Sequence, residues 1–153
     1  MSSLMTPENV AGLVVGEGCF YVESKADPKY KSGWRVRPAF CVEMRHDDRE
    51  VLEGIRSHLD CGSIYDLDFG RYKGYESKKW KPHVKYRVGN LADMRDKVVP
   101  FFRRYPLFGR KRTAFELCAE IVELLHAKEH LTPKGLEKVR VLAGLLTEHN
   151  KRG

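Results

Sequence analysis

Hydrophobic and polar positions change period several times along the chain, and each change marks an element. Residues 10–15 form a short apolar run that reads as a helix. Thr6 suits its cap, Pro7 its first position, and Glu8 its positive end. Residues 20–25 then alternate: Phe20 and Val22 face inward, while Tyr21, Glu23 and Lys25 face outward. After a loop over 26–33, residues 34–45 form a second strand. Val36, Phe40 and Val42 point to a core; Arg35, Arg37, Cys41, Glu43 and Arg45 line the other face. Pro38 interrupts this strand and predicts an edge position or a bulge.

Asp47 with Glu50 three residues later resembles a capping box, followed by the buried stripe Val51, Leu52, Ile55 and Leu59. Cys61-Gly62 ends that helix. Residues 63–69 read as a third strand, with Tyr65 and Leu67 outward, and 70–81 as a basic, aromatic loop. Residues 83–88 read as a fourth strand, with Val84, Tyr86 and Val88 inward and His83, Lys85 and Arg87 outward. A helix over 93–102 follows. Pro106 and Gly109 precede a long helix over 110–127, and Thr132-Pro133 opens a last one to about 149. The class is α+β: helix, two strands, helix, two strands, helix, then two further helices, with one four-stranded antiparallel sheet.

A length of 153 residues predicts a single domain over 1–153. Hydrophobic content of 42% and charged content of 32% fit a globular chain rather than a disordered one. No apolar run approaches membrane-spanning length, and the N-terminus lacks a basic region followed by an apolar block. The expected setting is intracellular: the cytoplasm of a prokaryote or archaeon, or an organelle, without secretion or membrane contact. Cys19, Cys41, Cys61 and Cys118 are scattered, with no Cys-x-x-Cys pair, so zinc is not expected. The net charge of +7 suits a polyanionic partner, although an inert basic surface has the same sum. The tempting metal pairings, His126 with His130 and His46 with Asp47 and Asp48, read as a helix end and a cap. Residues 1–5 and 151–153 read as frayed ends.

The most unusual stretch is the first helix. Ala11, Gly12, Val15 and Gly16 put small side chains on adjacent faces, which lets a second backbone approach closely. Glycine costs about 1 kcal/mol against alanine inside a helix, so two of them need a reason. Glu17 follows at the helix end, between Gly16 and Gly18, where unusual dihedrals are available. Residues 11–18 resemble the signature of the LAGLIDADG homing endonucleases, in the variant that ends Gly-Glu-Gly before an aromatic strand. Val10 stands where that motif starts with leucine. Val15 replaces its first acidic residue, and Glu17 keeps the second.

The resemblance implies an αββαββα fold with the motif on the first helix, and extends over essentially the whole chain. It implies that Glu17 is catalytic and, with Gly16, binds metal: magnesium, with manganese or calcium able to substitute. With a single motif it implies a homodimer that places two Glu17 carboxylates side by side through Ala11, Gly12, Val15 and Gly16. The family's active-site lysine falls at Lys111, with a one-residue slip to Arg110 left open. The outward sheet face becomes a surface for double-stranded DNA: Tyr21, Glu23, Lys25, Arg35, Arg37, Cys41, Glu43, Arg45, Tyr65, Leu67, Lys85 and Arg87. Lys73, Lys79 and Trp80 of the long loop would meet phosphates. The implied activity is site-specific double-strand cleavage by an intron-encoded enzyme. It would cut a pseudo-palindrome of roughly twenty base pairs across the minor groove and leave short 3′ overhangs. Met44 departs from the polar residue, commonly glutamine, at the end of the family's second strand, and Asp48 from a nearby basic one. The alternatives are an RNA-binding intron maturase and a DNA-binding protein of the same fold without chemistry.

Overall fold

Thr6 and Asn9 cap each other at the start of helix α1 (Pro7–Glu17): the Thr6 hydroxyl accepts the Asn9 N–H and the Asn9 side chain accepts the Thr6 N–H, both at 3.0 Å. The structure, a computed structural model, describes residues 4–67 and 82–151. Val10, Ala11 and Val14 turn into the core. Strand β1 (Gly18–Ala26) leaves α1 with no linker. Gly18 donates its N–H to the Val14 carbonyl, and its φ of −81° is ordinary extended backbone. Its need for glycine is therefore steric rather than conformational. A Cβ there would lie 2.6 Å from Val14 Cγ1 and 2.9 Å from the Val14 carbonyl oxygen.

β1, β2 (Trp34–Arg45), β4 (His83–Val88) and β3 (Ser63–Leu67) form one sheet in the order β1-β2-β4-β3, each neighbour antiparallel. Cys19 faces Cys41, Glu23 faces Arg37, Val42 faces Tyr86 and Tyr65 faces Lys85. The β1–β2 pairing runs unbroken through Val22–Pro38, so there is no bulge. β2 is central, yet β4 reaches only from Phe40 to Arg45. Pro38 thus sits on a locally unpaired margin of a central strand, where its missing N–H breaks no ladder.

The helices cover one face of this sheet. Phe20, Phe40, Phe102 and Phe115 fill the middle of the core, with Phe20 stacked on Phe40 at 4.8 Å and Phe115 edge-on to Phe20 at 5.4 Å. Helix α2 (Arg49–Leu59) adds Leu52, Ile55 and Leu59. Its expected Asp47 cap is absent. Asp47 lies in a 3₁₀ turn (His46–Asp48), where its carboxylate is 3.3 Å from Arg45 and from His46, and Asp48 makes no side-chain capping bond. The helix read over 93–102 is three pieces: α3 (Leu91–Asp93), a π turn (Met94–Val98) and α4 (Val99–Arg104). Pro100 has no N–H to return to Asp96 and crowds that carbonyl. The ladder widens upstream, with Val99 donating to Met94.

α5 (Arg110–His126) and α6 (Pro133–Lys151) pack on each other and on β1, and the Asn150 amide donates to the Phe20 carbonyl at 2.9 Å. Two residues expected to fray are held. The His58 ring donates to the Met5 carbonyl at 2.6 Å, and Lys151 ends α6 beside Glu148. Among the described residues no helix is long and apolar enough to cross a membrane.

Candidate active site and nucleic-acid interface

Glu17 is exposed at the last position of α1. The C-terminal end of a helix carries partial negative charge, so a carboxylate there is disfavoured, and the last turn contains no basic residue to offset it. Glu17 has no hydrogen-bond or ion-pair partner among the described residues. A carboxylate in the electrostatically wrong place, serving no local contact, is the kind of local conflict expected at a functional site.

Lys111 reaches the same spot from α5. Its Nζ donates to the Gly18 carbonyl, one residue from Glu17. Its neighbour Arg110 diverges: Nη2 donates to the His149 carbonyl at 2.6 Å, and His149 Nε2 sits 2.8 Å from the Arg110 carbonyl. Of the two basic residues left open by the sequence, Lys111 is therefore the one beside Glu17.

Just beyond, Cys19 and Cys41 face each other across β1 and β2. Hydrogen bonding from Cys41 lowers the Cys19 thiol to about 6, with Lys111 and Lys85 assisting and burial opposing. The same bond and burial push Cys41 upward; burial does so for Cys61 and takes Cys118 to about 12. Iodoacetamide at pH 7 should label Cys19 first of the four, with its rate falling as pH drops through about 6. Peptide mapping by mass spectrometry checks the ranking; faster labelling of Cys61 would contradict it.

Among the described residues no helix packs on the sheet's second face, and register places the expected side chains on it together: Tyr21, Glu23, Lys25, Arg35, Arg37, Glu43, Arg45, Tyr65, Leu67, Lys85 and Arg87. Several are already engaged. Arg87 donates to the Tyr21 hydroxyl at 3.0 Å, Glu43 lies 3.0 Å from His83 Nδ1, and Arg45 lies 3.3 Å from Asp47. Cys41 is on this face but only 9% exposed, so, contrary to the expectation from alternation, it offers little surface for contact. Lys73, Lys79 and Trp80 lie outside the described residues. Met44 pairs with Val84 on the helix-covered side and packs against the core. An apolar side chain is what that position needs; the polar groups exposed at this strand end are Glu43 and Arg45.

The small-residue face of α1 divides in two. Gly12 and Gly16 are exposed; among the described residues no atom outside the local helix backbone lies within 4 Å of a Cβ built on either, and Val15 is half-buried beside them. Ala11 is 6% exposed and belongs to the chain's own core, so it leaves the open face. Leu13 was missed. It is half-exposed and lines an apolar groove of about 400 Å³ with Leu4, Met5 and Val51, next to the glycines. Its apolar character one residue after Gly12 was the available signal.

No group of three or more metal-ligating side chains gathers among the described residues. One chain offers the exposed Glu17 carboxylate and the carbonyls at the helix end. These are hard oxygen donors of the type magnesium and calcium prefer, but too few for a closed site within one chain.

A four-stranded antiparallel sheet, covered on one face by helices and basic on the other, with an acid at the end of a glycine-bearing first helix, defines the class. The LAGLIDADG endonuclease family profile matches residues 10–122, and the chain belongs to that family. The chain is 28% identical over 136 residues to a probable intron-encoded endonuclease 2 of Neurospora crassa, covering 88% of this chain and 28% of the relative. It is 31% identical over 102 residues to a probable intron-encoded DNA endonuclease 1 of Mycosarcoma maydis, covering 67% and 32%. The chain thus spans about a third or less of the curated relatives it matches. Among solved structures, I-SmaMI bound to an uncleaved DNA target in the presence of calcium ions superposes with a TM-score of 0.81 at 30% identity, covering 94% of this chain and 45% of that one. The homing endonuclease I-TnaI superposes at 0.78 with 27% identity, covering 97% of both chains.

Proposed function

We propose that the chain is one subunit of a homodimeric, site-specific double-strand DNA endonuclease of the intron-encoded type. The observation that carries this reading is the Lys111 amine on the Gly18 carbonyl, next to the Glu17 carboxylate, which has no hydrogen-bond or ion-pair partner among the described residues. On this reading a lysine that orients water or stabilises charge and a metal-binding acid share the end of the helix with the open glycine face. A second copy docked through Gly12, Val15 and Gly16 brings a second Glu17 to the first, and the pair with the Gly16 carbonyls supplies oxygen ligands for magnesium, manganese or calcium. Such ions, when bound, activate water and neutralise charge on the scissile phosphates. Lys111 orients solvent or stabilises the developing charge on the phosphate. The two open sheet faces lie in successive major grooves, where Lys25, Arg35, Arg37, Lys85 and Arg87 meet base edges and phosphates. Cleavage falls between the halves, across the minor groove, and leaves short 3′ overhangs.

Selection of cut duplexes from a random library tests activity, symmetry and target together. The expected product is a two-fold symmetric site of roughly twenty base pairs, cut on both strands only when a divalent metal is present. Specific binding without cutting in magnesium or manganese would replace this reading with that of a DNA-binding protein. Preferential binding of folded intron RNA would favour a splicing cofactor, although Met44, packed on the covered side, lends that alternative no support.

A further inference from the structure

A second basic site lies at the far end of the sheet from Glu17. β2 extends past β4 over Trp34–Ala39, and along that margin a cavity of about 280 Å³ opens between the β1–β2 turn and the Glu129–Leu131 elbow joining α5 to α6. Tyr30, Lys31, Trp34, Arg35, Arg37 and His130 line it. Three buried side-chain nitrogens lack a hydrogen-bond partner among the described residues, and two of them, Arg35 Nε and His130 Nδ1, belong to residues that line this cavity. No ion pair among the described residues engages Lys31, Arg35 or Arg37. Arg37 donates to the Tyr30 hydroxyl at 3.0 Å, and Arg140 lies 3.8 Å over the Trp34 ring, adding a further cation beside the cavity.

Buried donors without acceptors are rare and call for an explanation. A water would satisfy one nitrogen, but it would leave three uncompensated charges. A tetrahedral oxyanion answers both, because its oxygens accept from the guanidinium, the imidazole and the ammonium at once. Burial lowers the His130 pKa, which leaves a neutral ring able to present N–H at Nδ1. β1 carries the chain from Gly18 to Ala26, about 27 Å at strand spacing, so the cavity lies about eight base pairs out from Glu17 along a duplex.

We propose that this cavity is a phosphodiester clamp, in which Lys31, Arg35 and His130 grip the DNA backbone at the outer edge of each half-site. The clamp rests on the DNA reading above and adds the α5–α6 elbow to the nucleic-acid surface. It sets footprint length and affinity without reading bases.

The test uses the full chain, its Lys31→Ala/His130→Ala variant and a Lys31→Glu variant, with two duplexes of the selected target. One duplex extends twelve base pairs each side of the centre and the other stops at six (roughly one half-site without its flank). Both variants should bind the long duplex about tenfold more weakly, with a shallower salt dependence, and the short duplex as tightly as wild type. Cleavage of saturating DNA should be unchanged. Equal losses on both duplexes, or none on the long one, would overturn the clamp. A free-anion site would show instead as inorganic phosphate binding to the wild type but not the variants, with long-duplex affinity unmoved; that also overturns it. Failure of the wild type to bind either duplex specifically would overturn the nuclease reading, and the clamp with it.

Discussion

Replacing Glu17 with glutamine should abolish cleavage, by about a thousandfold or more, and leave DNA affinity within about twofold of wild type. The amide keeps the size of the side chain and loses its charge. Among the described residues Glu17 makes no hydrogen bond or ion pair, so the fold loses none with the charge; relief from the helix-end dipole gives a small gain. Supercoiled-plasmid cleavage with magnesium, paired with gel-shift binding in calcium, separates the two effects. Wild-type cleavage by Glu17→Gln would remove the residue from the chemistry. Lost binding would assign it to DNA contact instead.

The second large effect concerns Gly12. Gly12→Leu should convert a dimer to a monomer, while the monomer itself becomes slightly more stable. Among the described residues, no atom outside the local helix backbone lies within 4 Å of a Cβ at this position, so leucine meets no clash there, and removing a mid-helix glycine contributes about 1 kcal/mol. The bulk matters only to a second helix crossing at close range. Light scattering gives the mass, and denaturant unfolding gives the stability. A dimer of unaltered mass would move the seam elsewhere. A monomer that unfolds more easily would mean that Gly12 serves its own chain, as Gly18 does by its contact with Val14.

Gly12 and Gly18 also show what the sequence could and could not convey. Both are glycines in one motif, yet one faces open space and the other is wedged against the preceding turn. That distinction depends on where β1 leaves the helix, which no local pattern records. Strands were legible because alternation has period two, and a single register decides which face every residue takes: β2 matched from Trp34 to Arg45. Cys41 has the right parity for the open face, but parity says nothing about how little of a short side chain reaches solvent there, and only 9% of it does. The Asp47 cap failed because Arg45 and His46 compete for the same carboxylate. The helix expected over 93–102 is present as a helical run from Leu91 to Arg104, but period alone does not register the π turn that accompanies the missing N–H of Pro100. Lys111 was separable from Arg110 only in three dimensions, where one helical step sends Arg110 to α6 and Lys111 to Gly18.

What most directly decides the account is how far apart the two Glu17 carboxylates lie when the protein holds its target. A crystal structure of the dimer on the selected duplex, grown with calcium to prevent cutting, measures it. Each Glu17 should lie within about 2.3–2.6 Å of an ion that also touches a scissile phosphate. Carboxylates turned apart, or ions bound without them, would contradict the account.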